Sequence, residues 1–455
     1  MSGLLVLGLG VTGDAVVRHR AAAGDDVVVV EDVPNGDHAY RDRVAAAEAA
    51  GAEIVEQPAP SRLVELVRRA DIVVPSPGVP LGHPALVAAR EAGIQVRAEV
   101  DLAAELAAAR GKILGAVTGT NGKTTVTTLI TAMLDSSGGA ALGAGNIGLP
   151  LLDAAASDVR ALVAEVSSFQ LACTTEVFRP RVAVLLNVSP DHLDWHGSFD
   201  AYTAAKARVF AHQRGRDRLV FNGDDEVAAR LAESAPAQRV GFTLGSRAGM
   251  FRIESGMLVD STGEPFADTA QMPFTAPHDR ANALAAAAAA FAAGATRDDV
   301  EHALRAYPRL HHRFARIGNT GGVQYYDVST ATNPHATLSA VGAFDDIDGK
   351  VVLIAGGRNK GLDLSVLRDL APRLRAVIAI GEASGDVESV FENVVPVTPA
   401  ESMSAAVASA ARRAQAGDVV LLSPACASFD WYPSYSARGN DFAREVARLS
   451  ERGVA

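Results

Sequence analysis

The run Gly119-Thr120-Asn121-Gly122-Lys123-Thr124-Thr125 collects residue types that handle phosphate. It stands behind the apolar run 113–117 and ahead of Val126-Thr127-Thr128-Leu129-Ile130, so strand, glycine-bearing turn and helix are expected in that order. The glycines let backbone N–H groups approach phosphate oxygens, and a helix N-terminus favours their negative charge. Lys123 has the reach for terminal phosphates, and the Thr124 hydroxyl is of the type that ligates Mg2+. A strict loop of this kind carries its first glycine at position 117, where this chain has Val117, so the loop is a variant. The plainer reading is a glycine turn with an incidental lysine. The placing of Gly-Lys-Thr at a strand–helix junction argues against it.

A second glycine run, Gly8-Leu9-Gly10-Val11-Thr12-Gly13, follows the apolar run 4–7, and Glu31-Asp32 closes the next strand about twenty residues on. Alone, this pattern fits a dinucleotide site, and a nicotinamide-dependent oxidoreductase is a rival reading. Two phosphate-binding turns in two domains fit a ligase with ATP and one nucleotide-linked substrate better.

Such turns need parallel sheets to hold them. Strand-like runs at 4–7, 27–30 and 72–74 alternate with helical runs such as 45–50 and 63–69. Further strands are expected at 162–166, 182–188 and 219–221, and again at 351–355, 377–380 and 419–422. Short apolar strands alternating with helices predict an α/β protein whose ligand loops lie at the carboxyl ends of its strands. The chain has 455 residues, enough for about three domains. A Rossmann-like domain is expected over 1–111, a central P-loop ATPase-like parallel sheet over 112–315 and a second Rossmann-like domain over 316–455. The glycine-bearing run 248–273 reads as a small excursion, and the alanine-rich run 281–293 as a packed helix too short to span a bilayer.

Composition narrows the partners. A net charge of −11 argues against nucleic acid, which wants a basic face, but leaves room for small anions bound by local loops. Only Cys173 and Cys426 are present, so no disulfide framework is expected and a reducing cytoplasm fits. The first ten residues lack the basic and long apolar regions of a signal peptide. A cytoplasmic monomer without membrane insertion is expected.

Beyond the phosphate loop, Gly145-Asn146-Ile147-Gly148 is followed by Glu165-Val166-Ser167-Ser168-Phe169-Gln170 at a strand end. Asn187-Val188-Ser189-Pro190-Asp191-His192-Leu193-Asp194 and Tyr202-Thr203-Ala204-Ala205-Lys206-Ala207 come next. Asp279-Arg280-Ala281-Asn282, His312-Arg313-Phe314, Gly356-Gly357-Arg358-Asn359-Lys360 and Ser423-Pro424-Ala425-Cys426-Ala427-Ser428 complete the series. Each member alone is ordinary: Glu165 reads as a solvated carboxylate, His192 as a loop histidine bonded to Asp191 or Asp194, and Lys206 as a helix-surface charge. In this order they resemble the Mur ligase family, the ATP-dependent amino-acid ligases of peptidoglycan synthesis, and the resemblance spans all three blocks.

The resemblance implies joining of glutamate, with D-glutamate favoured, to UDP-N-acetylmuramoyl-L-alanine through an acyl phosphate. It implies that Gly119, Thr120, Asn121, Gly122, Lys123, Thr124, Thr125, Asn282 and Arg313 hold ATP, with Lys123, His192 and Lys206 catalytic. One Mg2+ would lie by Thr124 and Glu165, and a second by His192 and a CO2-derived carbamate on Lys206. Val11, Thr12, Gly13, Glu31, Asp32, Gly78 and Asn146 would serve the UDP substrate. Thr332, Lys360, Ser428, Phe429 and Tyr435 would serve glutamate, because a cation and hydroxyls suit its distal carboxylate.

One stretch departs from the family's Asp-Ser-Lys-Ala-Thr-Asn. Aligned on Ala331-Thr332-Asn333, the aspartate position holds Val328 and the lysine position Thr330. Asp327 stands one residue earlier, on the other face of its strand. Either Arg358 or another cation compensates, or the substrate use has changed, as in a relative that adds L-glutamate. A non-catalytic nucleotide-binding relative is a further alternative, opposed by the intact Lys123, Glu165 and His192.

Overall fold

The computed structural model describes residues 2–34, 37–136, 140–273, 276–345 and 347–451. They form two compact units. One comprises Met1–Val188, Trp195–Thr275 and Asp279–Tyr307, the other Ser189–Asp194, Ala276–His278 and Pro308–Ala455.

The first unit holds two parallel sheets. Strands β1 (Gly3–Leu7), β2 (Asp26–Glu31), β3 (Glu53–Glu56), β4 (Ile72–Pro75) and β5 (Gln95–Val96) lie in the order β3-β2-β1-β4-β5. Strands β6 (Ile113–Thr118), β7 (Ala141–Gly145), β8 (Ala161–Glu165), β9 (Val182–Leu185), β10 (Arg218–Asn222) and β11 (Gln238–Phe242) lie in the order β11-β10-β9-β6-β8-β7. Runs such as Leu-Leu-Val-Leu and Val-Val-Val-Val are apolar on both faces because helices cover both, as a parallel sheet requires. A three-stranded antiparallel sheet of β12 (Arg252–Glu254), β13 (Met257–Val259) and β14 (Pro265–Asp268) accounts for the excursion expected at 248–273.

The two parallel sheets share one core. Leu4 and Val29 of the first belong to the same buried cluster as Leu114, Leu162 and Leu185 of the second. The helix Glu99–Ala109 joins them, burying Ala103, Ala104 and Ala107, small enough for close approach to the helix Leu151–Ala156. Glu99 accepts a hydrogen bond from Leu152 N at 2.6 Å, and Asp101 accepts two from Thr175 N at 3.1 and 3.0 Å. Arg18 adds a bidentate bond to Asp153, at 3.0 and 2.9 Å. The alanine-rich run 281–293 lies in the helix Pro277–Ala293 and buries every residue from Ala283 to Ala290. Among the described residues no helix is long and apolar enough to cross a membrane.

The second unit is built on β15 (Ala315–Thr320), β16 (Val323–Asp327), β17 (Val351–Gly356), β18 (Leu374–Ile380), β19 (Val397–Ala400) and β20 (Val419–Ala425), in the order β15-β16-β20-β17-β18-β19. Only the β15–β16 pair is antiparallel. Along β17, Val351, Leu353 and Ala355 enter one core while Val352 and Ile354 enter the other, the two-residue period of a strand covered on both faces.

Every strand expected from apolar runs is present, with the run 182–188 ending as a strand at Leu185. Strands β3, β5, β7, β11, β15 and β19 were not expected. β3 is short and charged at both ends, and β7 reads Ala-Leu-Gly-Ala-Gly, without β-branched residues. Pairing with β8 along its whole length fixes β7 where propensity does not.

Burial lifts the Glu99 carboxyl from 4.5 to about 7 and that of Asp101 from 3.8 to about 6. The folded chain therefore holds these protons more tightly than the unfolded one, and stability falls as pH rises from 4.5 through 7. Glu99→Gln keeps an acceptor for Leu152 N and cannot ionise. Its unfolding free energy, compared with the parent at either end of this window, should fall less with rising pH, by up to about 3 kcal/mol. Parallel pH profiles would show that Glu99 does not titrate with folding.

Candidate active site

The phosphate loop leaves the carboxyl end of β6 and enters the helix Lys123–Ser136. Val117, at the usual first-glycine position, is a buried strand residue paired with Glu165 and Val184, so no glycine is needed there. Gly119 is required by packing: a Cβ would lie 2.8 Å from the Leu186 Cβ. Gly122 turns at φ +86°, and a Cβ on it would meet Asn282 Oδ1 at 2.6 Å, which places the expected ATP residue Asn282 against the loop.

Three residues brace this turn from behind. Asn187 accepts from Asn121 N at 2.8 Å and donates to Asn121 O at 3.1 Å, while its own carbonyl accepts from Thr120 N at 2.9 Å. Tyr202 OH and Thr120 Oγ1 share a hydrogen bond at 2.9 Å. Lys206 is not a surface charge. It is 1% exposed, and its ammonium donates to Gly119 O at 2.8 Å and lies 4.7 Å from the centre of the Tyr202 ring. Lys123 Nζ donates to the carbonyls of Gly119 and Thr120, both at 2.9 Å. Asn187 and Tyr202 went unassigned in the sequence because nothing in spacing separates a brace from an ordinary strand-end or helix residue.

Beside the loop, Glu165 ends β8 and is buried. Asn146 Nδ2 donates to its Oε1 at 2.9 Å, and Asn146 N donates to its carbonyl at 2.8 Å. Its Oε2 is buried without a hydrogen-bond partner among the described residues. A carboxylate oxygen left so costs free energy unless a cation or donor completes it, and a hard divalent cation fits. Among the described residues no cluster of three His, Cys, Asp or Glu side chains could hold a metal on its own. A cation here would therefore draw on Glu165, the Thr124 hydroxyl, and phosphate or water oxygens.

The first glycine run follows β1 and opens the helix Val11–Ala22. A Cβ at Gly13 would fall 2.0 Å from Gly8 O, so Gly13 serves close helix–strand packing. Glu31 ties the turn from the neighbouring strand, accepting from Leu9 N at 2.8 Å, and Asp32 pairs with His83 at 2.7 Å. Val11 is exposed at the helix start, Thr12 lines a small hollow with Ser76 and Trp195, and Gly78 lies in the turn after β4.

In the second unit, His192 sits at φ +52° with its N–H on Asp191 Oδ1 at 2.9 Å and its ring 3.7 Å from Asp191 Oδ2. Asp191 also forms an ion pair with Lys360 at 2.5 Å and accepts from Asn333 at 3.4 Å. Lys360, expected on a glutamate carboxylate, thus already faces a carboxylate of the chain. Thr332 lies between the Thr330 turn and the helix Pro334–Gly342, and Ser428 is buried where β20 gives way to a loop. Phe429 and Tyr435 are 63% and 41% exposed. Arg313 follows His312, whose ring bonds Asp327 at 2.6 Å.

The departing loop is tied to its surroundings, although among the described residues the buried Ser329 Oγ has no hydrogen-bond partner. Val328 packs against the core, Thr330 Oγ1 donates to His312 O at 2.9 Å, and Asp327 accepts from Ser329 N at 2.8 Å. Arg358 is engaged with Glu382 at 3.0 and 2.8 Å on the surface. The cation beneath the loop is Arg438, buried, donating to the carbonyls of Ser329 at 3.0 Å, Cys426 at 3.1 Å and Ala427 at 3.2 Å. Burial lowers its pKa to about 10, so it stays charged at neutral pH. Nothing in residue type or spacing near the C-terminus marks it.

A braced glycine turn at a strand–helix junction, with a buried and half-satisfied carboxylate beside it, is the arrangement of an enzyme that positions a phosphorylated nucleotide. The chain belongs to the Mur ligase family. Residues 2–98 match the Mur ligase MurD-like N-terminal domain, 117–290 the Mur ligase middle domain and 312–426 the Mur ligase glutamate ligase domain. A protein of Acidobacterium capsulatum named UDP-N-acetylmuramoylalanine–D-glutamate ligase is 40% identical, over 99% of this chain and 97% of its own length. One of the same name from Thermobifida fusca is 40% identical over 98% of each. The fold is that of MurF from Acinetobacter baumannii, with a TM-score of 0.64 at 18% identity over 98% of this chain and 93% of that one. The N-terminal glycine run thus lies in a MurD-like domain, and the oxidoreductase reading is set aside.

Asn187→Ala strips both side-chain bonds from the Asn121 backbone and should cost about 1–3 kcal/mol of stability. ATP affinity should drop roughly tenfold. Thermal unfolding and ATP titration check this; no change in either would mean that the loop holds its shape without the brace.

Proposed function

We propose that the protein is the ATP-dependent ligase that joins D-glutamate to UDP-N-acetylmuramoyl-L-alanine in peptidoglycan precursor synthesis. The observation that carries this reading is the match, along nearly the whole chain, to relatives bearing that activity in their names, with all three ligase domains in order. The three large sheets support domain limits of 1–111, 112–315 and 316–455. The two free cysteines support a cytoplasmic location, and the enzyme acts as a monomer.

The substrate's terminal carboxylate oxygen attacks the γ-phosphorus of ATP, and the bond to the bridging oxygen breaks to release ADP and leave an acyl phosphate. The neutral amine of glutamate then attacks the acyl carbon, and the carbon–oxygen bond to phosphate breaks. The amine loses a proton, and amide and phosphate remain. Lys123 and the loop's backbone N–H groups other than those of Thr120 and Asn121, which Asn187 occupies, hold the phosphates and neutralise the charge that builds during transfer. Asn282 fixes the turn, and Arg313 serves the nucleotide. Glu165 and Thr124 would hold Mg2+, which when bound neutralises phosphate charge. Val11, Thr12 and Asp32 with Gly78 serve the UDP portion, and Glu31 and Gly13 keep the turn open for it. Asn146 orients Glu165 toward the reacting centre.

For the amino acid, Lys360 and the hydroxyls of Thr332 and Ser428 take the distal carboxylate, with Phe429 and Tyr435 at the edge. The pairing of Lys360 with Asp191 supports this, since a lysine already set against one carboxylate is poised to share itself with another. His192, on the same short segment as Asp191, would serve a second Mg2+ together with Lys206 if that lysine carried a carbamate. Burial of Lys206 against the Gly119 carbonyl supports a role at the loop rather than at the surface.

Phosphate release with UDP-N-acetylmuramoyl-L-alanine should proceed with D-glutamate and be weak with L-glutamate. Lys123→Ala should abolish it while the UDP substrate still binds. Equal rates with both enantiomers would defeat the assignment of D-glutamate, and joint loss of UDP-substrate binding in a folded Lys123→Ala protein would defeat the division of labour.

Lys206→Ala should lose most turnover and regain part of it with added short carboxylates, which replace the anion of a carbamate. Undiminished turnover of Lys206→Ala in CO2-depleted buffer would leave Lys206 as a brace for the loop alone.

A further inference from the structure

The amino-terminal edge of the second sheet carries a cleft of about 1100 Å³ within the first unit. Lys112 enters it just ahead of β6, Arg181 just ahead of β9, and Arg214 and Arg216 just ahead of β10, three adjacent strands. The phosphate loop leaves the opposite end of β6, about 20 Å away along the strand.

In a chain of net charge −11, this cleft is lined by Arg179, Arg181, Arg214 and Arg216, with Lys112 already donating to Ser157 O near Asp158, against Glu176 and Asp217. Asp217 is already committed, accepting from Arg214 N at 2.7 Å and lying 4.0 Å from Arg179 Nε. Arg181, Arg214 and Arg216 are exposed, and among the described residues no carboxylate comes within 4.0 Å of their guanidinium groups. Cations gathered on a concave wall in excess of its carboxylates raise the local potential and favour an anion.

The wall is rigid. Buried Gln213 donates through Nε2 to Pro180 O and to Arg218 O, both at 2.9 Å, locking the turn before β9 to the turn before β10. Arg218 N donates to Arg181 O at 2.9 Å, and Asp217 N closes its own turn on Arg214 O at 2.8 Å. The fixed turns set the arginine backbones in place, and the planar guanidinium forks match phosphate oxygens. Ala104, Ala108, Leu114 and Val177 supply an apolar floor.

We propose that this cleft binds a small organic polyphosphate, its phosphates on the arginine rim and its apolar part on the floor, at a site separate from both glycine turns. A concave volume of this size favours a small molecule over a flat polyanionic surface.

The test is calorimetric titration of geranyl diphosphate, and separately of inorganic diphosphate, into the full-length protein and into Arg181→Glu/Arg214→Glu. The parent should bind one more equivalent of geranyl diphosphate than the variant, or bind it at least roughly tenfold more tightly. Inorganic diphosphate should occupy the same site more weakly, for want of the floor. Hydrogen exchange in the parent should slow at 176–182 and 212–217 on binding. Melting temperature and phosphate release with the ligase substrates should be the same in both proteins, since the reversed residues lie away from the reacting centre. Identical isotherms in parent and folded variant would overturn the proposal. So would sedimentation with vesicles of phosphatidylcholine and phosphatidylglycerol that the reversals abolish, unaccompanied by saturable diphosphate binding, which would make this face a membrane contact.

Discussion

A turn that keeps some of its N–H groups open to phosphate cannot use those to hold itself together, so its shape must be imposed from outside. That constraint organises the first unit. The carbonyl of Gly119 takes both Lys123 and Lys206, the Asn121 backbone is held on both its polar groups by Asn187, and Thr120 is tied to Tyr202. Leu186 closes against Gly119 so tightly that only glycine fits. These braces arrive from β9 and its following loop and from the helix Phe199–Ala211, which is why a parallel sheet with its neighbours in register is needed beneath a seven-residue motif.

The same logic appears at the first glycine run. Gly13 and Gly8 are pressed together, and Glu31 reaches from the adjacent strand to hold Leu9. One oxygen of that carboxylate is already engaged by the turn itself. The two turns belong to one compact unit because the alanine-rich helix Glu99–Ala109 lets their sheets share a core. Two buried carboxyls, Glu99 and Asp101, fasten it at its start. Small side chains make the close packing possible, and buried acids make it sensitive to proton concentration.

In the second unit a buried arginine does the work of arrangement. Arg438 holds the carbonyls of Ser329, Cys426 and Ala427 together, drawing the loop after β16 onto the loop after β20. The neighbouring Thr332 and Ser428 take their places from that fastening. With Thr330 tied to His312 and Val328 in the core, the loop stands without the aspartate and lysine usual in the family.

The sequence by itself determined the glycine turns, the order of the ligase motifs and the long apolar strands, because each depends on residue type at short spacing: glycine where no Cβ fits, lysine and threonine at a helix start, β-branched runs between alternating helices. Tertiary structure alone decided that Lys206 is buried rather than on the surface and that one oxygen of Glu165 has no partner among the described residues. It alone decided that Lys360 meets Asp191 across 169 residues of chain and that Arg438 lies beneath the loop of Ser329. Short strands such as β7 likewise exist because a neighbour pairs with them, not because their residues favour extension. Burial and long-range pairing are properties of the packed chain. A lysine on an alanine-rich helix and an arginine near the C-terminus read alike in sequence whether they face water or a backbone carbonyl, and only the packing of distant segments settles which.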